Sequence, residues 1–225
     1  MRTNLRIAIL LLLAVFMPMV VSAQKKSDWA RYGRYADANK EVTVRPKAVL
    51  FGDSITDVWP NQDQEFFWDN NFVGRGISGQ TTTQILCRMQ QDVVALRPKY
   101  VVILAGINDI ALNDGCAPDI ATAIANIKSM CEIAKANKIK PVVCSLLPSY
   151  RINWRSSLKD VKEKVAEFNS QLKAYADANK IKYVDYYTAF AGEGDMMPEA
   201  YSKDTVHPNL EGYKVMEKCL LEVIK

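Results

Sequence analysis

One histidine, His207, serves the whole 225-residue chain. That scarcity excludes histidine-rich metal sites, and any chemistry that needs an imidazole must use this one. Cysteine offers no better metal site. Cys87, Cys116, Cys131, Cys144 and Cys219 include no Cys-x-x-Cys spacing, and their odd number leaves at least one thiol without a partner in the chain. Cys131, Cys144 and Cys219 fall in apolar periodic segments and are expected to be packing residues, while the pairing among the five stays open. A catalytic cysteine and a metal or organic cofactor are not indicated.

Charge of one sign is also lacking. Basic residues number 29 and acidic ones 25, and no long Lys/Arg run or basic-aromatic stripe argues for nucleic acid. No Pro/Gly/Ser-rich stretch divides the chain and no segment is low-complexity. The one long apolar run lies at the start. Arg2 and Arg6 precede an almost wholly apolar stretch over 7–21, and Val21-Ser22-Ala23 places small residues where a signal peptidase cuts. Residues 1–23 are therefore expected to be a removed signal peptide and 24–225 a single exported domain, periplasmic or extracellular. Cleavage would leave no stable membrane anchor, whereas an uncleaved anchor would call for a longer run.

What is present is an alternation of short apolar, β-rich runs with helical patterns, the mark of stacked β-α units around a parallel sheet. Strands are expected over 47–51, 71–75, 100–105, 140–146 and 182–185. Their runs are short and continuous, as suits strands covered on both faces. Helices are expected over 82–96, 118–137, 157–179 and 210–224. Ile120, Ala123, Ile124, Ile127, Met130, Cys131 and Ala134 recur at three and four and define one buried face. A pattern of two alanines, Asn and Lys recurs at 36–40, 134–138 and 176–180. It reads as a helix ending before a strand, with Asn taking the left-handed conformation and Lys facing the negative end of the dipole.

Four polar motifs follow expected strand ends or open the last helix. Gly52-Asp53-Ser54 stands at the end of the first strand, where open parallel sheets bind ligands. Gly76-Ile77-Ser78-Gly79-Gln80-Thr81-Thr82 opens a helix, and its backbone N–H groups suit negative charge. Gly106-Ile107-Asn108-Asp109 follows the most apolar strand, where an Asn amide can meet a developing oxyanion. Asp204-Thr205-Val206-His207 sets a carboxylate three residues before the imidazole it can orient. Each alone reads equally well as a turn or helix cap. Together they supply nucleophile, base, orienting acid and oxyanion donors.

This set resembles the SGNH hydrolases, the serine esterases also called the GDSL family, over essentially the whole chain from Phe51 to the last helix. The resemblance implies a flavodoxin-like three-layer α/β/α sandwich on a five-stranded parallel sheet. It implies Ser54, Asp204 and His207 as the catalytic triad, with the oxyanion hole formed by Ser54, Gly79 and Asn108. It implies no metal and no cofactor. The family's usual Leu after the serine is Ile55 here, a change of packing.

The expected partner is a small-molecule or glycan ester. Two aromatic stretches are candidate substrate walls: 58–68, from which Trp59 can stack on a sugar, and 148–155, which carries Tyr150, Arg151 and Trp154. The same aromatics can equally pack under their loops. No long insertion suggests a lid, and an open site suits a small acyl group on a larger polar alcohol. Removal of acetyl groups from a carbohydrate is the favoured activity. The alternatives are a lysophospholipase or thioesterase for longer acyl chains and a non-catalytic glycan-binding domain on the same fold.

Overall fold

The computed structural model describes residues 28–225, so the expected signal peptide at 1–23 lies outside the described residues. Five strands form one parallel sheet: β1 (Ala48–Gly52), β2 (Phe72–Gly76), β3 (Tyr100–Leu104), β4 (Lys140–Cys144) and β5 (Lys182–Val184). Their order is β2-β1-β3-β4-β5. β1 and β3 are fully buried along their lengths, which is why they read as continuous apolar runs. β1 departs to β2 on one side and β3 lies on the other, so the order reverses between β1 and β3 and a crevice opens at their carboxyl ends.

Helices cover the sheet. Ser54–Gln62 packs on β1 and β2 and touches Leu210–Val223, which also lies on β5. Ile120–Ala136 packs on β4 and between Thr82–Cys87 and Val161–Ala178. The architecture is the α/β fold with a five-stranded parallel sheet that the alternation predicts. On Ile120–Ala136, Ala123, Ile124, Ile127, Met130, Cys131 and Ala134 are buried and Ile120 is half-buried, as the periodicity requires.

Two expectations are corrected. The helix predicted over 82–96 is three pieces, Thr82–Cys87, Met89–Asp92 and a 3₁₀ turn at Val94–Leu96. The chain breaks at Arg88, whose fully buried guanidinium turns inward to Gln80 Oε1 at 2.8 Å and Asp92 at 2.5 Å. In the recurrent Asn-Lys pattern, the left-handed residue is the lysine: Lys138 has φ 61° and Lys180 φ 52°. Asn137 and Asn179 instead turn their amides back to the carbonyls of Ile133 and Tyr175, at 2.8 and 2.9 Å, satisfying acceptors that the helix end leaves open. The first copy is itself a short helix, Ala36–Lys40, and does not lead into a strand.

All five cysteines are free thiols; Cys131 and Cys144 are buried, and Cys116 and Cys219 half-buried. Burial pushes the Cys131 thiol up to about 12, and that of Cys144 further in the same direction, which leaves both unreactive.

Candidate active site

β1 delivers its polar turn directly into a helix. Asp53 is the N-cap, its Oδ1 accepting the Ile55 N–H at 3.1 Å, and Ser54 is the first helical residue. This arrangement puts the Ser54 hydroxyl at a helix N-terminus, a favourable place for charge that develops on oxygen. Burial pushes the Asp53 carboxyl up to about 7, against the pull of the Ile55 N–H and of His207, and its Oδ2 has no hydrogen-bond partner.

Ser54 Oγ lies 2.8 Å from His207 Nε2, and His207 Nδ1 lies 2.7 Å from Asp204 Oδ2. With Nδ1 facing a carboxylate, the proton belongs on Nδ1 and the Nε2 lone pair accepts the serine hydroxyl. Asp204 Oδ1 also accepts the backbone N–H groups of Val206 and His207, at 3.0 and 2.7 Å. Burial raises the Asp204 carboxyl, but the hydrogen bonds from His207 and Val206 outweigh it and hold the group below the usual carboxylate range. The loop is tightly wound, since Thr205 adopts φ 70°, a conformation a β-branched residue rarely takes. Its hydroxyl donates to the Arg151 carbonyl at 2.9 Å, which helps hold it there.

The β2 and β3 loops bring backbone and amide donors to the same cleft. Gly79 has φ 81°, and its N–H takes no partner among the described residues. Gly106, with φ 130°, starts the short helix Ile107–Ile110; a Cβ there would collide with the Phe168 ring. That close approach sets Asn108 at the cleft. Asn108 Nδ2 donates to the Gln80 carbonyl at 3.0 Å, and its Oδ1 accepts from Asn113 Nδ2 at 2.8 Å. The second Nδ2 hydrogen is therefore left for a ligand. Asp109 faces away, accepting from Thr82 N–H, Thr82 Oγ1 and Ala117 N–H at 2.9 to 3.0 Å, and so ties the β3 loop to the next helix.

The cleft, about 450 Å³, is lined by Ser54, Val58, Ser78, Gly79, Asn108, Asn113, Trp154 and His207. It thus gathers the sequence-derived nucleophile, base and oxyanion residues Ser54, His207, Gly79 and Asn108, while Asp204 stands behind His207. The expected substrate wall is corrected in three places. Trp59 is 2% exposed, stacked against Phe66 and Tyr213 with ring centroids 5.7 and 5.3 Å away, so it cannot meet a sugar. Tyr150 and Arg151 line a separate cavity beside Met197 and Lys203. From that stretch it is Trp154 that reaches the cleft, its ring centroid 5.8 Å from that of His207.

Asn113 was not legible as a site residue. Its Nδ2 reaches both Asn108 Oδ1 and the Gly79 carbonyl, at 2.8 and 3.2 Å, and its Oδ1 accepts from Trp154 Nε1 at 3.1 Å. The only local signal was its place five residues after Asn108. Among the described residues no group of three or more His, Cys, Asp or Glu is placed to hold a metal ion.

Comparison with known proteins identifies the family. The model of the GDSL-like lipase/acylhydrolase family matches residues 50–215. The chain is similar to the crystal structure of a GDSL-like lipase from Bacteroides thetaiotaomicron, with 44% identity and a TM-score of 0.82 over 87% of this chain and 97% of that one. It is 24% identical over 160 residues to an acetylxylan esterase of Geobacillus stearothermophilus, covering 68% of this chain and 71% of the relative. It is also 24% identical over 205 residues to an isoamyl acetate-hydrolyzing esterase of Saccharomyces cerevisiae, covering 80% and 86%.

Proposed function

The chain belongs to the GDSL-like lipase/acylhydrolase family and is a carboxylic ester hydrolase; from that premise we propose that it removes acetyl groups from a carbohydrate through an acyl-enzyme on Ser54. The observation that carries this reading is the continuous series from Ser54 Oγ through His207 to Asp204, with steps of 2.8 and 2.7 Å, opening onto a shallow cleft.

In the proposed reaction, His207 Nε2 takes the Ser54 proton as Oγ attacks the ester carbonyl. Asp204, kept ionised by its hydrogen bonds, stabilises the imidazolium without accepting the proton. The oxyanion accepts hydrogen bonds from the Ser54 and Gly79 N–H groups and from Asn108 Nδ2. His207 then protonates the leaving alcohol oxygen, the carbon–oxygen bond breaks, and water repeats the cycle to release the acid.

A short acyl group is supported by the cleft itself. Val58 and Trp154 provide its main apolar surface, enough to cover a methyl group and too little to bury a long chain. Two relatives carry acetyl esters in their names, which supports the same choice. The basic start and apolar run over 7–21 support an exported enzyme acting on a glycan outside the cytoplasm.

The test is hydrolysis of aryl esters of rising acyl length by wild type and Ser54→Ala, with acetate release from an acetylated glycan measured alongside. A rate that peaks at acetyl and disappears in the variant is expected. A peak at eight carbons or more would transfer the assignment to lipid esters, and full activity in Ser54→Ala would remove the serine from the mechanism.

A further inference from the structure

A second hollow of about 310 Å³ adjoins the cleft and shares Ser78, Gly79 and Asn113 with it. Its outer wall comes from the segment just before the first helix, through Trp29 and Arg31, and from Asp114 and Arg155 opposite. The segment is firmly held. Asp28 accepts the Tyr32 and Gly33 N–H groups at 2.8 Å each, the Ala30 carbonyl accepts from Gln80 Nε2 at 2.9 Å, and the Trp29 carbonyl accepts from Gln84 Nε2 at 3.1 Å. The Trp29 indole rests on Gly115, where a Cβ would collide with the ring, yet 40% of the residue stays exposed. Arg31 is exposed and adopts φ 56°, a left-handed conformation closed by its N–H to the Asp28 carbonyl at 2.9 Å.

The chemistry of this hollow differs from that of the cleft. An indole face, two guanidinium groups and a carboxylate are poor company for a fatty acyl chain, because burying their charged ends against hydrocarbon has no return. The same set suits a ring with one apolar face and hydroxyls around its edge: the indole takes the face, Arg31 and Arg155 donate, and Asp114 accepts. Arg155 is already fixed by its Nε–H to the Ala111 carbonyl at 3.1 Å, so its remaining donors are held in place.

We propose that this hollow is a second sugar subsite, which receives the ring next to the acetylated one and makes the enzyme selective for oligosaccharide esters over small acetates. The proposal rests on the glycan reading above. The hollow lies just past Gly79 and Asn113, so a substrate whose acetyl carbonyl meets Gly79 extends into it by its alcohol portion.

The experiment compares a partially acetylated xylo-oligosaccharide with p-nitrophenyl acetate, which is too short to reach the hollow, in wild type, Trp29→Ala and Arg31→Ala. Expected is a fall of about tenfold in the ratio of kcat/KM for the oligosaccharide to that for the aryl acetate, carried by KM, since each tenfold corresponds to the ~1.4 kcal/mol one stacked or charged contact can supply. Arg31→Ala keeps the test alive should Trp29→Ala fold poorly. If wild type cuts both substrates and the ratio is unchanged in the folded variants, the subsite is wrong and the glycan reading stands. If wild type cuts the aryl acetate but releases no acetate from the oligosaccharide, the glycan reading fails and the subsite with it.

Discussion

Asn113 Nδ2 donates to Asn108 Oδ1 at 2.8 Å, fixing which end of the Asn108 amide faces the cleft. A free amide could turn over and offer its oxygen to the oxyanion, which would repel it. Removal of Asn108 itself should cost about a hundred- to a thousandfold in kcat. Asn113→Ala keeps the donor and its Gln80 anchor but removes one of the two contacts that fix its orientation, so a smaller loss of roughly tenfold in kcat is expected, with KM for a small aryl acetate little changed. Steady-state kinetics on that ester decide it. A loss confined to KM would make Asn113 a substrate contact instead.

That contact also marks where sequence reasoning stops. β1 and β3 were legible because strands buried on both faces must be apolar at every position. The fourth strand read two residues too long, to 146, because the buried stretch runs on through Ser145 and Leu146; but Leu146 leaves the ladder and gives its N–H to Asn169 Oδ1 at 2.7 Å. The break at Arg88 was invisible because an Arg and an Asp four residues apart read as an exposed helical ion pair, whereas both are wholly buried. Ser54, Gly79, Asn108, Asp204 and His207 stood out because each occupies a turn at a strand end or helix entry. Trp154 and Asn113 meet across 41 residues, and nothing local signals such a pairing. Trp59 misled for the opposite reason: an aromatic near a nucleophile looks the same whether it faces a ligand or the core.

Asp53 should leave a mark on stability. Its carboxyl titrates at about 7 in the folded chain, against an ordinary value of 3.8, because burial disfavours the charged form. The folded state therefore binds more protons between these limits, and stability falls as pH rises through that window. Asp53→Asn retains the Oδ1 that caps Ile55 and has no charge to bury. Melting temperatures from pH 4 to 8 should fall more steeply for wild type than for the variant. Parallel curves would mean that Asp53 is not the titrating group.

Trp59 tests the corrected reading of the aromatic stretch. It sits against Phe66, Phe67 and Tyr213, with its Nε1 donating to Glu217 Oε1 at 3.3 Å. Trp59→Ala should lose about 3–5 kcal/mol of stability, as large aromatics do when truncated in a core. KM for an acetylated sugar, measured below the variant's melting point, should stay within about twofold of wild type, because no direct contact is lost. A selective rise in KM with stability intact would return Trp59 to the substrate wall.

The buried pair under the site gives the last prediction. Arg88 Nη1 meets Asp92 Oδ2 at 2.5 Å with both side chains wholly inaccessible, and the Arg88 Nε–H donates to Gln80 Oε1 at 2.8 Å. Burial pulls the guanidinium below its usual range, and the neighbouring Asp92 carboxylate offsets part of that. Arg88→Met would strand the Asp92 charge with only Asn39 and Gln91 amides as partners, at 2.7 and 3.2 Å, and should cost about 3–5 kcal/mol in urea unfolding. Replacing both, Arg88→Met with Asp92→Leu, should recover much of that stability, because the desolvation penalty disappears with the pair. Activity should not recover with it. Gln80 would still lack one of the two contacts that fix its side chain, keeping only its Nε2–H to the Ala30 carbonyl, and its own carbonyl is the anchor of Asn108 Nδ2 at 3.0 Å. Stability restored with kcat still depressed would show the ion pair orienting the oxyanion donor through Gln80; recovery of both together would reduce it to a packing element.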